Sequence, residues 1–230
     1  MVVLSNKNIL LILLPLTLYL LQSNAKQEHD DMGCSVQEVL CVKDVLTKIA
    51  RTTRSIEETI NKTQANIATR IESIDTVNRY VKFQVVEIDP QLPTPKYHTN
   101  FGRLNNINKV VFFTYLIHLL LEAHDAMSFY YNTIGDILHV SNTSSTDDSL
   151  KIIQNDLRRG IICEYRNVLS VYCHRWTTID RIKLVEFSKI NFHMAQTFLN
   201  DAHSMIVIDI LRIWMDKIHY VIHNLEKKYR

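Results

Sequence analysis

Few residues in this chain could form covalent bonds, hold ions or move protons, and their spacing narrows what they can do. Four cysteines stand at positions 34, 41, 163 and 173. Two of them bracket "GCSVQEVLC", seven apart, just ahead of a long helical pattern; the other two, ten apart, close a later one. His219 and His223 are four apart, so on a helix they share a face where two imidazoles could hold a metal. Between them run Tyr220, Val221 and Ile222, with no glutamate to act as base, so the zinc-protease signature is missing and the pair reads as a solvated stripe. Asp147-Asp148 and Glu57-Glu58 are adjacent in sequence and point to different sides of a helix, which suits surface better than paired acid–base work. Neither a Gly-x-Ser-x-Gly elbow nor a glycine-rich phosphate loop occurs. The expectation is therefore no catalytic residues, no cofactor and no metal site, with the cysteines as covalent staples.

The first 25 residues set the compartment in which those cysteines would react. Met1 to Asn8 carries one lysine, Lys7, and no acid; Ile9 to Leu21 is almost wholly apolar around Pro15; Ser23 and Ala25 are small residues at −3 and −1 of a cleavage site. This predicts a signal peptide over 1–25, because a thirteen-residue, mostly apolar stretch containing a proline falls short of the roughly 20 residues a membrane span needs. The mature part, 26–230, then keeps 25 basic and 24 acidic residues, a balance that gives no reason to expect nucleic acid or an anionic membrane as partner. It is long enough for one domain with one core. In an oxidising compartment the cysteines predict two disulfides, with three pairings open. Asn61-Lys62-Thr63 and Asn142-Thr143-Ser144 are glycosylation sequons, placing candidate glycans on Asn61 and Asn142.

Four helical segments must position these groups. The chain has only four glycines, little material for tight turns, which argues for long helices. From Val42 the stripe runs 42, 46, 49, 53, 56, 60, 63, 67, then Ile71, Ile74, Val77 and Val81, alternating steps of three and four. It ends at Ile88-Asp89-Pro90, before Pro93 and Pro95. A helix of about 45 residues would span near 65 Å, so a break is expected, placed at Thr52-Thr53. The second segment starts near Arg103, is apolar nearly all round through "NKVVFFTYLIHLLLEAHDAMSFYY", and closes near Gly135 and Asn142. The third runs from about Asp148 to Trp176, with Leu150, Ile153, Leu157, Ile161, Tyr165, Val168 and Tyr172 on one face. The fourth begins near Asn200; 177–199 also has a helical pattern.

Long connections after the first and third segments, and a shorter one after the second, predict an all-α, up-up-down-down long-chain four-helix bundle. In that topology the start of the first segment and the end of the third share a pole. Antiparallel neighbours then pair outermost with outermost: Cys34 with Cys173, and Cys41 with Cys163. Seven residues against ten is an imperfect match, so one end must fray. Each clasp would stabilise by roughly 2–5 kcal/mol.

"RYVKFQ" (79–84), "GRLNNINKVVFFTYLIHLLLEAHDAM" (102–127) and "DILRIWMDKIHYVIHNL" (209–225) resemble the ends or bodies of the first, second and fourth helices of the long-chain helical cytokines, in the ciliary neurotrophic factor, cardiotrophin and leukaemia inhibitory factor branch. The resemblance is dispersed over most of 26–230. That branch carries a Phe-x-x-Lys motif opening its fourth helix as a receptor contact. Phe198 matches its phenylalanine, while Asp201 stands where the lysine would be and reverses the charge. The resemblance implies a secreted ligand that clusters cell-surface class I cytokine receptor chains. It would do so through the outer faces of the first and third helices, the end of the fourth with the first connection, and the pole around Phe198. Candidate contact charges on the first face are Lys48, Arg51, Glu58, Asp156 and Arg159. A glycan on Asn61 would obstruct that face. The alternative, prompted by the apolar second segment, is a secreted carrier of lipid or another hydrophobe. Neither reading involves nucleic acid, or membrane insertion once the signal is cleaved.

Overall fold

The chain divides into two compact units, Met1–Gly33 and Cys34–Arg230. A computed structural model describes residues 32–34, 41–70, 74–103, 109–140, 147–172, 174–187 and 195–228. The predicted signal peptide and its cleavage site lie outside these residues.

The second unit is all-α among the described residues. Helix α1 (Val42–Arg70) and α2 (Ile74–Ile88) carry the first predicted segment. Ile49, Thr53, Ile56, Ile60, Thr63 and Ile67 are fully buried, as the three–four stripe requires. In α2 the stripe continues through Val77, Tyr80, Gln84 and Ile88; Tyr80 takes the buried place expected of Val81. The break is not at Thr52-Thr53. The Thr52 hydroxyl donates to the Lys48 carbonyl at 3.1 Å, and that of Thr53 to Ala50 at 2.8 Å, so both stay helical by bonding back into the previous turn. α1 ends at Arg70 and α2 begins at Ile74; residues 71–73 are outside the described set.

A 3₁₀ turn at Asp89–Gln91, with proline in its first turn, leads to the short α3 (Lys96–Asn100) and a second 3₁₀ turn at Phe101–Arg103. Helix α4 (Lys109–Val140) is the apolar segment and runs straight through Gly135 instead of closing there. A Cβ on Gly135 would lie 2.8 Å from Gln154 Nε2, so the glycine leaves space for that amide, which donates to the Tyr131 carbonyl at 3.1 Å.

The third segment is one rod of α5 (Asp147–Asp156), a π-helical turn (Leu157–Ile162) and α6 (Cys163–Val171). Its predicted face is buried from Leu150 to Val168, with Tyr172 half-buried. Residues 177–187 are not helical apart from a 3₁₀ turn at Ile179–Arg181. Their backbone groups are taken by outside partners. Asn132 Nδ2 donates to the Ile179 and Ile182 carbonyls, both at 3.0 Å, and Val185 N–H donates to Thr133 Oγ1 at 3.2 Å. Helix α7 (Gln196–Lys228) completes the chain, burying Trp214 and Met215 at its centre.

Side-chain pairs fix the direction of neighbouring helices. Thr47–Glu226, Arg54–His219 and Tyr80–His203 run α1–α2 antiparallel to α7. Lys48–Glu164 and Ser55–Asp156 run α1 antiparallel to the α5–α6 rod. Phe113–Tyr172, His124–Arg166 and Tyr131–Gln154 run α4 antiparallel to the same rod.

The disulfide joins Cys34 to Cys163, with Cα atoms 5.4 Å apart, and Cys41 is an exposed free thiol. This corrects both expected pairings of Cys34 and Cys163, with Cys173 and Cys41 respectively. Because Lys48 stands level with Glu164, Cys41 at the start of α1 lies about 10 Å along the helix from the level of Cys163, beyond bridging range. Cys173 lies outside the described residues.

Candidate functional site

Two regions gather the residues singled out by sequence. The first is the seam between α1 and the α5–α6 rod. Gly160, in the π turn, brings the backbones close: a Cβ there would lie 2.5 Å from both Cγ2 and Oγ1 of Thr52. Across this contact Lys48 ion-pairs with Glu164, and the Ser55 hydroxyl donates to Asp156 at 3.4 Å. Burial holds the Asp156 carboxyl above its ordinary range, partly offset by that hydroxyl. Lys48, itself exposed, and the half-buried Asp156 bond across the seam between helices, and Arg51, Glu58 and Arg159 are exposed beside it. Asn61 is exposed on α1, on the same helix as Glu58; Asn142 lies outside the described residues. Glu164 was not legible as a partner of Lys48, since no local pattern connects positions 116 residues apart.

The second region surrounds Phe198. This ring is half-buried, edge-on to Tyr80 with centroids 6.4 Å apart. The Tyr80 hydroxyl is 2.6 Å from His203 Nε2, and the imidazole stacks on Phe187 at 3.8 Å and 6°. Burial depresses the His203 pKa from its ordinary value to about 4, so the ring is neutral at physiological pH. Phe198 is therefore part of an aromatic cluster joining α2, the second connection and α7, and Asp201 is half-buried beside it. Tyr80, Phe187 and His203 come from three distant stretches; only "RYVKFQ" was noticed in sequence.

The two connections are pinned to α4 by polar groups that sequence gave no sign of. Glu122 accepts the Tyr97 and His98 backbone N–H groups at 2.8 and 3.0 Å and the His98 Nδ1 proton at 2.7 Å. These donors hold its carboxyl below the usual range against the opposing effect of burial. Trp214 meets the His98 ring edge-on and donates to the Pro93 carbonyl at 3.3 Å. On the other connection, His124 lies between Arg166 and Asp125, and Arg166 also covers the Trp176 ring.

His219 and His223 stack 6.3 Å apart at 7°, and His219 Nε2 is 3.2 Å from Arg54 Nη2. No group of three or more potential metal ligands occurs among the described residues. No described helix is long and apolar enough to cross a membrane. No family model, curated protein or solved structure matches the chain.

Proposed function

We propose that this chain is a secreted helical ligand, an up-up-down-down four-helix bundle that binds and clusters class I cytokine receptor chains through several faces. Helix register carries the reading. α1 and α4 each run antiparallel to the α5–α6 rod, and α7 runs antiparallel to α1, so α1 and α4 point one way and the rod and α7 the other. That order requires two long overhand connections, which residues 89–103 and the stretch containing 174–187 supply. A rigid rod bundle with charged outer faces acts by contact alone. Arg51, Glu58 and Arg159 offer one such face, and the aromatic cluster around Phe198 offers another. At interfaces of this kind a few buried aromatic or arginine anchors dominate the binding energy.

The test is binding of the purified, folded chain to a panel of immobilised class I receptor ectodomains. One or more should bind. Arg159→Glu and Phe198→Ala should weaken different chains by about tenfold or more, because the two residues lie on different surfaces. Binding to none of the panel, with lipid recovered by organic extraction, would replace this reading with the carrier.

A further inference from the structure

Three histidines sit where the long connections meet the helices, and their partners differ in what a second ring proton would do. His98 donates Nδ1–H to the Glu122 carboxylate, an arrangement that a positive ring strengthens. His203 faces the Tyr80 hydroxyl, which can turn from donor to acceptor. His124 has no such freedom. Arg166 Nε is 3.1 Å from His124 Nε2, and a guanidinium only donates, so Nε2 must carry the lone pair. Nδ1 then carries the proton and donates to Asp125 Oδ1 at 2.9 Å. The ring is held in one tautomer between a cation and an anion, and it is fully buried.

We propose that His124 is an acid-sensitive latch for the second connection: protonation at Nε2 breaks the Arg166 hydrogen bond and releases Trp176 from beneath the guanidinium. The proton balance is simple. One proton from solvent takes the Nε2 lone pair, and Arg166 Nε–H then faces another N–H at 3.1 Å, cation against cation, so the two must separate. Arg166 lies 5.3 Å over Trp176, whose ring is tilted 6.3 Å from His124, so separating the pair also breaks the cation–π contact. The charged groups bonded to His124 include Arg166 from α6 and Asp125 from its own helix; Thr177 of the connection bonds the other oxygen of Asp125 at 3.1 Å. The change is local. Asn132 and Thr133 hold Ile179, Ile182 and Val185 through groups that do not titrate, and Glu122 keeps the first connection in place. None of this depends on the receptor reading.

Tryptophan emission of the full chain between pH 7.5 and 4.5 tests the latch. Trp214 is buried away from the latch, so the wild-type emission should shift as Trp176 is released, with the open population rising about tenfold per pH unit over which it holds one extra proton. The shift should vanish in Trp176→Phe. It should also vanish in His124→Gln, whose amide oxygen accepts from Arg166 at every pH. No shift in wild type, or a shift that survives in His124→Gln, overturns the proposal. Should His124→Gln not fold, ring-nitrogen NMR of the wild type decides: Nε2 protonation at the emission midpoint supports the latch, and a separate midpoint overturns it.

Discussion

Residues 89–103 and 174–187 both pack on α4, yet they are held by different chemistry. The first connection is anchored by an anion. The Glu122 carboxylate collects two backbone N–H groups and an imidazole, bonds that are charge-assisted and persist while the carboxyl stays ionised. The second is held by a mixed set: the Asn132 amide and the Thr133 hydroxyl on its backbone, the Asp125 carboxylate on Thr177, the Arg166 guanidinium over Trp176, and the His203 ring stacked on Phe187. If the His124 latch holds, proton uptake loosens the second connection at Trp176 and leaves Glu122 holding the first. Both pack against the same helix, and each is fastened by its own set of side chains.

The disulfide sharpens the contrast, because the loop it closes contains the first connection but not the second. With a sequence separation of 129, loop closure attributes about 5 kcal/mol to it. Cys34→Ser with Cys163→Ser should lower stability by that order in urea denaturation, the largest effect expected here. Glu122→Ala should come next, at about 3 kcal/mol, because it strands two backbone donors and the buried His98 ring together. Hydrogen exchange should locate the loss in 96–103 and leave 179–187 protected.

Acid should reverse that pattern. The folded pKa of His203 is about 4 and its ordinary value about 6.5, so the unfolded chain takes the proton first. The contribution of this ring is complete above pH 6.5, declines as pH falls, and is gone near pH 4. The decline amounts to at most about 3 kcal/mol. His203→Gln should flatten the stability profile in that window; an unchanged slope would remove His203 from the comparison. The smallest effect belongs to Asn132→Ala. It leaves the half-buried Ile179 and Ile182 carbonyls to water and should cost about 1 kcal/mol, with faster exchange confined to the second connection.

The helices were legible in sequence because apolar spacing over 49–67 and 150–168 is set by burial, and there the structure buries every stripe position; Val42 and Leu46, at the start of the stripe, are only half-buried. Proline at 90, 93 and 95 likewise marked the first connection. The second was misread over 177–187, where Ile179, Ile182 and Val185 mimic a helical step although Asn132 and Thr133 hold the irregular backbone from outside. The π turn at Leu157–Ile162 left no local signature; it serves the contact of Gly160 with Thr52, a partner more than a hundred residues away. The same holds for the candidate surfaces. Lys48 and Asp156 looked like free surface charges until the register brought Glu164 and Ser55 opposite them.

The register of α1 against the α5–α6 rod underlies both the helix order and the functional reading, and a non-reducing peptide mass map of the purified protein tests it most directly. A linked peptide containing Cys34 and Cys163 is the expected result, since their Cα atoms stand 5.4 Å apart at the level set by Lys48 and Glu164. Cys34 bonded to Cys41 instead, with Cys163 not joined to Cys34, would contradict the seating of Cys34 beside the start of α6, at the level the register gives Lys48.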